Sequence, residues 1–480
     1  MEQKRVITSN LLWRLLERFG AQGVTLIVSI VLARVLDPSI YGTIALVTVI
    51  TTILQVFVDS GLGTALIQKK DADTLDFSTV FYCNFAACIL LYVLLFISAP
   101  YIAQFYERPE LTSVIRVLGL ILIISGFKNI QNAYVSRHLL FKLYFFATLG
   151  GTVCAAVVGI LMAYHGFGVW ALVAQNLINQ GIDTMILWML VKWRPTREFS
   201  FTRLKALFSY AWKLLLASLL DTIWTQLSQL IIGKKYNTSD LAYYNKGNEY
   251  PQYATIALNS SIDSVLLPVM SQAQDDPAVV KSMTRRAIKT SSFILWPIMM
   301  GLAACSKPLV SLVLTEKWLP SVPYLIIFCI VYAFYPIHTA NLNAIKALGR
   351  SDLFLILEIV KKIINLIIII VSMQFGPMYM ALGAIIGSLF SQIINSWPNR
   401  KLLNYKYIEQ IMDIIPYIVL SVVMACAVYC IDFLKLSNIL TLFIQVPLGV
   451  IIYVGISWVL KIDSFTYCLS IAKKLINRGK

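Results

Sequence analysis

Long apolar runs separated by short polar stretches follow one another along almost the whole chain. A helix needs about 20 mostly apolar residues to cross the hydrocarbon core of a bilayer. Runs of that length predict fourteen spans, near 20–36, 41–59, 79–99, 111–130, 143–164, 168–190, 211–232, 241–262, 288–305, 322–343, 353–374, 378–397, 412–431 and 439–460. The span over 241–262 has the weakest apolar signal because it holds Lys246, Glu249 and Pro251. Pro251 and Pro297 each remove a helix hydrogen bond, which predicts kinks in the eighth and ninth spans. The first twenty residues place Arg14, Glu17 and Arg18 where a cleavable signal would have its apolar centre. They read as an amphipathic lead-in to the first span. The longest polar stretch, around 191–208, is too short to fold as a separate domain.

The turn Leu36-Asp37-Pro38-Ser39-Ile40-Tyr41-Gly42 lies between the first two spans. At an offset of 200, Tyr236-Asn237-Thr238-Ser239-Asp240-Leu241-Ala242 lies between the seventh and eighth. The same offset pairs Ser60-Gly61-Leu62 with Ser260-Ser261-Ile262, and an offset of 210 pairs Gly166 with Gly376. The spacing predicts a six-span duplication with both halves in one orientation, a pseudo-two-fold axis along the membrane normal, and a site near the midplane. The expected divisions are 1–190 (first six-helix bundle), 191–210 (basic linker), 211–400 (second six-helix bundle) and 401–480 (two extra spans and a tail). A six-plus-six plan favours an alternating-access transporter over a pore or a membrane enzyme.

Composition supports this. Of 480 residues, 58% are hydrophobic and only 13% charged, about half the roughly 25% charged content of a soluble domain. That excludes a soluble enzyme and a nucleic-acid binder, although the net charge is +16. The positive charge belongs to loops on the N-terminal side. The opposite loops carry only Arg34, Arg108, Lys234, Lys235, Lys307, Lys317 and Lys435, which places both termini in the cytoplasm. The eight cysteines form no CxxC and the three histidines no metal motif, so no metal or cofactor is expected. The chain has no GxxxxGK[ST] loop for nucleotide hydrolysis.

Ionisable groups inside a membrane are costly and usually face a cavity or a partner. Arg14, Arg18, Arg116, Lys246, Lys361 and Lys362 are candidates for a cationic lumen that binds an anionic head group. Arg14 and Arg18 equally suit an interfacial helix reaching toward lipid phosphates. Asp59, Asp183, Asp221, Glu249 and Glu358 are candidates for coupling to H⁺ or Na⁺. Glu249 and Glu358 also stand three residues from a lysine, where a structural ion pair is expected.

The stretches Leu32-Ala33-Arg34-Val35-Leu36-Asp37-Pro38-Ser39-Ile40-Tyr41-Gly42, Asp59-Ser60-Gly61-Leu62-Gly63-Thr64-Ala65-Leu66-Ile67, Leu266-Leu267-Pro268-Val269-Met270-Ser271 and Ala347-Leu348-Gly349-Arg350 resemble the polysaccharide transporters of the multidrug/oligosaccharidyl-lipid/polysaccharide exporter superfamily, which include the Wzx-type flippases. The resemblance runs through about residue 400. Asn237 and Ala242 depart from it, standing where members often carry glycine. It implies an all-α fold of the kind found in MATE and MurJ transporters. It also implies flipping of an undecaprenyl-diphosphate-linked sugar unit across a bacterial inner membrane, with membrane lipids and polysaccharide polymerase or assembly proteins as partners. Two rivals stand beside this reading. A multidrug or cation antiporter of the same superfamily would need an acidic cavity, against Lys246, Lys361 and Lys362. A membrane polymerase would need a sizeable outer loop, and the outer loops are short and poor in carboxylates.

Overall fold

The computed structural model describes residues 2–59, 61–69 and 71–478. The side chains of Arg14, Glu17 and Arg18 lie outside the described residues, as do those of a few positions between 257 and 265 and of most after 470. The described residues form helices joined by turns, with no strand among them. They fall into two compact units, Met1–Leu241 and Ala242–Lys480.

The first unit contains α1 (Glu2–Val35), α2 (Pro38–Asp59), α3 (Leu62–Gln68), α4 (Thr74–Phe105), α5 (Leu111–Leu118), α6 (Leu120–Arg137), α7 (Phe141–Tyr164), α8 (Val169–Leu190) and α9 (Phe201–Lys235). Helix α10 (Thr238–Gln272) starts there and runs into the second unit. That unit continues with α11 (Pro277–Ala304), α12 (Ser306–Val313), α13 (Val322–Ala333), α14 (Tyr335–Ala347), α15 (Ser351–Ser372), α16 (Pro377–Ser396), α17 (Asn399–Leu402), α18 (Tyr407–Tyr429), α19 (Asn438–Val459) and α20 (Asp463–Arg478).

Each expected span falls on a helix or on a helix pair with a short break, at Gly119 and at Phe334. Among the described residues, ten helical segments are long and apolar enough to cross a membrane. The other four expected spans lie on α1, α8, α10 and α15. The apolar part of α1, Gly20–Val35, is short. The other three carry polar groups, among them Asp183, Lys246 with Glu249, and Glu358 with Lys361 and Lys362. Helices α10 and α11 continue through Pro251 and Pro297. Helix α9 begins inside the stretch expected to be linker. It packs on α2, α3 and α4, so the compact units and the expected repeat halves have different boundaries.

Helix boundaries carry the duplication. One helix ends at Val35 and the next begins at Pro38; the same happens at Lys235 and Thr238. Helices end at Arg137 and Ala347 and restart at Phe141 and Ser351, an offset of 210. Each of these turns has a left-handed residue, Leu139 (φ 55°) and Gly349 (φ 72°). The next helices are preceded by Gly168 and Gly376, an offset of 208, because α7 is two residues longer than α15. That moves the glycine pairing expected from the sequence by two positions.

Small residues in these turns have a steric reason. A Cβ on Gly42 would stand 1.8 Å from the Thr238 carbonyl oxygen, so the first turn of α2 lies directly on that of α10. Gly61 has φ 99°, which favours glycine, and its Cα faces the Ala211 carbonyl of α9. Beside it a charged cluster ties three elements together. Asp73 caps α4, Arg203 of α9 bonds Asp73 at 2.5 Å, and Lys69 bonds the fully buried Asp76 at 2.6 Å. Arg203 and the Asp76 backbone N–H hold the Asp73 carboxyl at about 2, below the usual carboxylate range.

Candidate functional site

Helix α10 enters the second unit with a polar stripe. Lys246 is buried, and its Nζ lies 2.7 Å from Glu249 Oε2. Tyr253, one turn on, donates to the other Glu249 oxygen at 3.3 Å. Helix α15 repeats the device. Lys361 Nζ lies 2.5 Å from Glu358 Oε1, with the lysine 12% and the glutamate 33% exposed. Residues three apart share a helix face, so each pair is assembled by its own helix. The opposite side of α15, with Leu355, Ile359, Ile363 and Ile370, is apolar and exposed, as a lipid-facing surface would be. Lys362, half-buried, adds a further cation on the same turn.

An ammonium group has three donors and no acceptor. The paired carboxylate takes one N–H of each lysine. This arrangement keeps each of these cations compensated by a carboxylate of its own helix.

In the first unit, Gln55, Asp59, Ser125, Lys128, Asn129 and Gln180 line a polar cavity of about 410 Å³, and Asn132 completes it. Lys128 Nζ bonds Asp183 Oδ2 at 2.6 Å and Gln180 Oε1 at 3.3 Å. Ser125 Oγ accepts from Gln180 Nε2 at 3.0 Å and from Gln55 Nε2 at 2.7 Å. Asp59 opens onto the cavity within range of the Lys128 charge. Asp183 Oδ1 and Asn132 Oδ1 are buried without a protein partner among the described residues. Two carboxylates and one ammonium among amides form a site suited to a small cation or a proton, with Lys128 as its fixed positive charge.

The remaining described candidates are Arg116 and Asp221. The Arg116 guanidinium lies 4.2 Å from the Phe96 ring centroid, and its Nε donates to the Phe96 carbonyl at 3.3 Å. It thus braces α5 against α4. Asp221 is exposed on α9. Arg14 and Arg18 are not described. No cluster of His, Cys, Asp and Glu able to hold a metal occurs among the described residues.

Sequence reasoning missed Lys128 and its amide neighbours. A signal existed, since Ser125, Lys128, Asn129 and Asn132 recur at helical spacing on α6, as do Gln180 and Asp183 on α8.

A family model described as "Polysaccharide biosynthesis protein" matches residues 31–323, more than half of the chain. The chain is 26% identical over 309 residues to the teichuronic acid biosynthesis protein TuaB of Bacillus subtilis (strain 168), covering 63% of each chain. It is 23% identical over 321 residues to the succinoglycan biosynthesis transport protein ExoT of Rhizobium meliloti (strain 1021), covering 67% of this chain and 65% of the relative. Both alignments span somewhat less than two thirds of the relative's length. Among solved structures, the lipid II flippase MurJ in an inward closed conformation matches with a TM-score of 0.75 and 16% identity, over 94% of this chain and 99% of that one. This likeness shows the fold.

Proposed function

We propose a function from one premise: this chain belongs to the polysaccharide biosynthesis protein family. It translocates an undecaprenyl-diphosphate-linked oligosaccharide from the cytoplasmic to the periplasmic leaflet of a bacterial inner membrane, with both termini cytoplasmic. It works by alternating access and makes or breaks no covalent bond.

The observation that carries this reading is the pair of lysine ammonium groups in the second unit, each held by a carboxylate three residues away. An uncompensated lysine within the hydrocarbon region costs roughly 3 kcal/mol on an insertion scale. The internal Lys–Glu pairs remove that cost in the empty carrier. When the diphosphate arrives, its oxygens accept hydrogen bonds from Lys246, Lys361 and Lys362, and these ammonium groups offset part of its negative charge. The sugars ride in the polar cavity space and the polyprenyl tail stays in lipid. The first unit's polar site, with Asp59, Asp183 and Lys128, supplies a place for a coupling H⁺ or Na⁺. A polysaccharide polymerase or another assembly protein is the partner that would consume the product.

The test is leaflet exchange of a fluorescent undecaprenyl-diphosphate oligosaccharide in proteoliposomes, with a cationic drug assayed in parallel. Exchange well above that of empty liposomes is expected. Drug transport without lipid exchange would replace this reading with a cation antiporter.

A further inference from the structure

The duplication pairs Lys128 of the first unit with a histidine of the second. Helices α6 and α14 end at Arg137 and Ala347, and Lys128 and His338 lie equally far before those ends. The partners correspond as well. Lys128 meets Gln180 at 3.3 Å, and His338 Nε2 meets Ser388 Oγ at 3.4 Å. Gln180 and Ser388 stand equally far behind the glycines that open α8 and α16. One repeat therefore holds a fixed positive charge where the other holds an imidazole, the side chain whose charge changes most readily near neutral pH.

The surroundings of His338 are built to accept either charge state. Asn395 Nδ2 lies 3.1 Å from His338 Nδ1, so the amide donates to an unprotonated ring nitrogen. Asn395 Oδ1 is then left buried without a partner. Rotating that amide by half a turn would offer Oδ1 to a protonated Nδ1. One turn away on the same face of α16, Gln392 is fully buried, and neither its Oε1 nor its Nε2 has a protein partner.

A buried polar file continues beyond these residues. Asn399, one turn after Asn395, donates to Asn341 Oδ1 at 2.6 Å and has its own Oδ1 unpartnered. Asn341 and Gln410 exchange hydrogen bonds of 2.7 and 3.1 Å. Gln410 reaches the Tyr405 carbonyl, and Tyr405 Oη donates to Asp413 Oδ2 at 2.7 Å. Asp413 is held by Arg285 in two bonds of 2.7 Å, and Arg285 is about half exposed. Two gaps interrupt the file, one between Asn395 and Asn399, flanked by the unpartnered atoms of Gln392, Asn395 and Asn399, and one between the Tyr405 carbonyl and the Tyr405 hydroxyl. Buried water occupies sites of this kind, where several polar atoms lack protein partners.

We infer that His338 is a proton-binding site of the second unit, filled and emptied through this hydrated polar file from the surface at Arg285 and Asp413. A proton from water at that end reaches Nδ1, the Asn395 amide turns to accept it, and the reverse turn releases it to water. No other bond changes. Among the described residues, the titratable groups around the ring are Lys361 with its partner Glu358 on α15, Tyr335 on α14 and, beyond it, Tyr332 on α13, and α16 presents Ser388 and Asn395 to it. Among the described residues, Lys361 is the charge that acts on the ring. A proton on His338 and an anion at Lys361 therefore influence one another, and the role of His338 in a transport cycle rests on the function proposed above.

The experiment is solid-state NMR of the full chain in lipid nanodiscs, with ¹⁵N-labelled histidine. In the His138→Gln/His165→Gln variant, His338 is the sole labelled ring, so its assignment does not require a His338 variant to fold. Its signal should pass from one protonated nitrogen to two as the pH is lowered. Gln392→Leu, which closes the water site, should slow proton exchange at the ring at least tenfold without moving the midpoint. A ring that keeps one unprotonated nitrogen throughout, while His138 and His165 titrate in the wild type, would overturn the inference. So would unchanged exchange in Gln392→Leu. In proteoliposomes, His338→Lys, which copies the first unit, should abolish the response of lipid exchange to an imposed pH gradient. The NMR titration needs no substrate, so failure of the transport reading and failure of the proton site are separate results.

Discussion

Lys128 and Asp183 illustrate how this chain keeps charge inside a membrane. Asp183 is 6% exposed, and Lys128 compensates it from a helix 55 residues away. Removing one partner of such a pair costs about 3–5 kcal/mol, because the other charge stays buried. Lys128→Ala should therefore lower the thermal midpoint in detergent clearly, and Lys128→Ala/Asp183→Asn should recover most of the loss. Equal midpoints for wild type and Lys128→Ala would show that the pair holds little. A second prediction concerns Asp73, whose carboxyl is held at about 2 by Arg203 and the Asp76 N–H. A depressed folded value means that its stabilisation is fully present above about pH 4 and is lost as pH falls toward about 2. Asp73→Asn keeps the helix cap but not the charge, so a midpoint-against-pH series should be flatter for the variant over that window. Lys246 with Glu249 and Glu358 with Lys361 were legible in the sequence because one helix builds each pair. Lys128 with Asp183 was not, because its partners meet only in the folded unit. His338 escaped notice for the same reason, since its neighbours come from α15 and α16.

Helices were the most legible feature. Their apolar runs must be about as long as the hydrocarbon core is thick, and that length is visible in one dimension. The breaks at Gly119 and Phe334 were not visible, because apolarity continues across both. Nor was the early start of α9, where the basic stretch from Phe201 is already helical. The duplication was legible from turns, and the reason lies in contact between backbones. Gly42→Ala would drive a Cβ into the Thr238 carbonyl, and overpacking of this kind costs about 1–3 kcal/mol or more. Gly181→Ala, with nothing within 4 Å of the new carbon, should be neutral or stabilise by up to about 1 kcal/mol through helix propensity. Thermal midpoints of the two variants, side by side, check this contrast. A Gly42→Ala protein as stable as Gly181→Ala would remove the close-approach explanation of the turn.

For the whole molecule, composition and charge asymmetry set the class, and family membership and fold agree with it. The candidate site was only partly legible. The sequence named the cations of α10 and α15 together with Arg116, whose guanidinium lies on the Phe96 ring in the structure. Topology gives one prediction at this scale. Single cysteines placed in the loops after α6 and α14, in a cysteine-free background, should be labelled from the same side as the two termini by a membrane-impermeant maleimide. Labelling of the two loops from opposite sides would break the six-span repeat. The most direct measurement remains leaflet exchange of the fluorescent undecaprenyl-diphosphate oligosaccharide, comparing wild type with Lys246→Ala and Lys361→Ala/Lys362→Ala. All three proteins must first be shown to insert equally. A fall of at least tenfold in both variants is predicted, about 1.4 kcal/mol of lost interaction with the diphosphate. Wild-type exchange no faster than in empty liposomes, or full exchange in both variants, would contradict a flippase that carries its head group on these lysines.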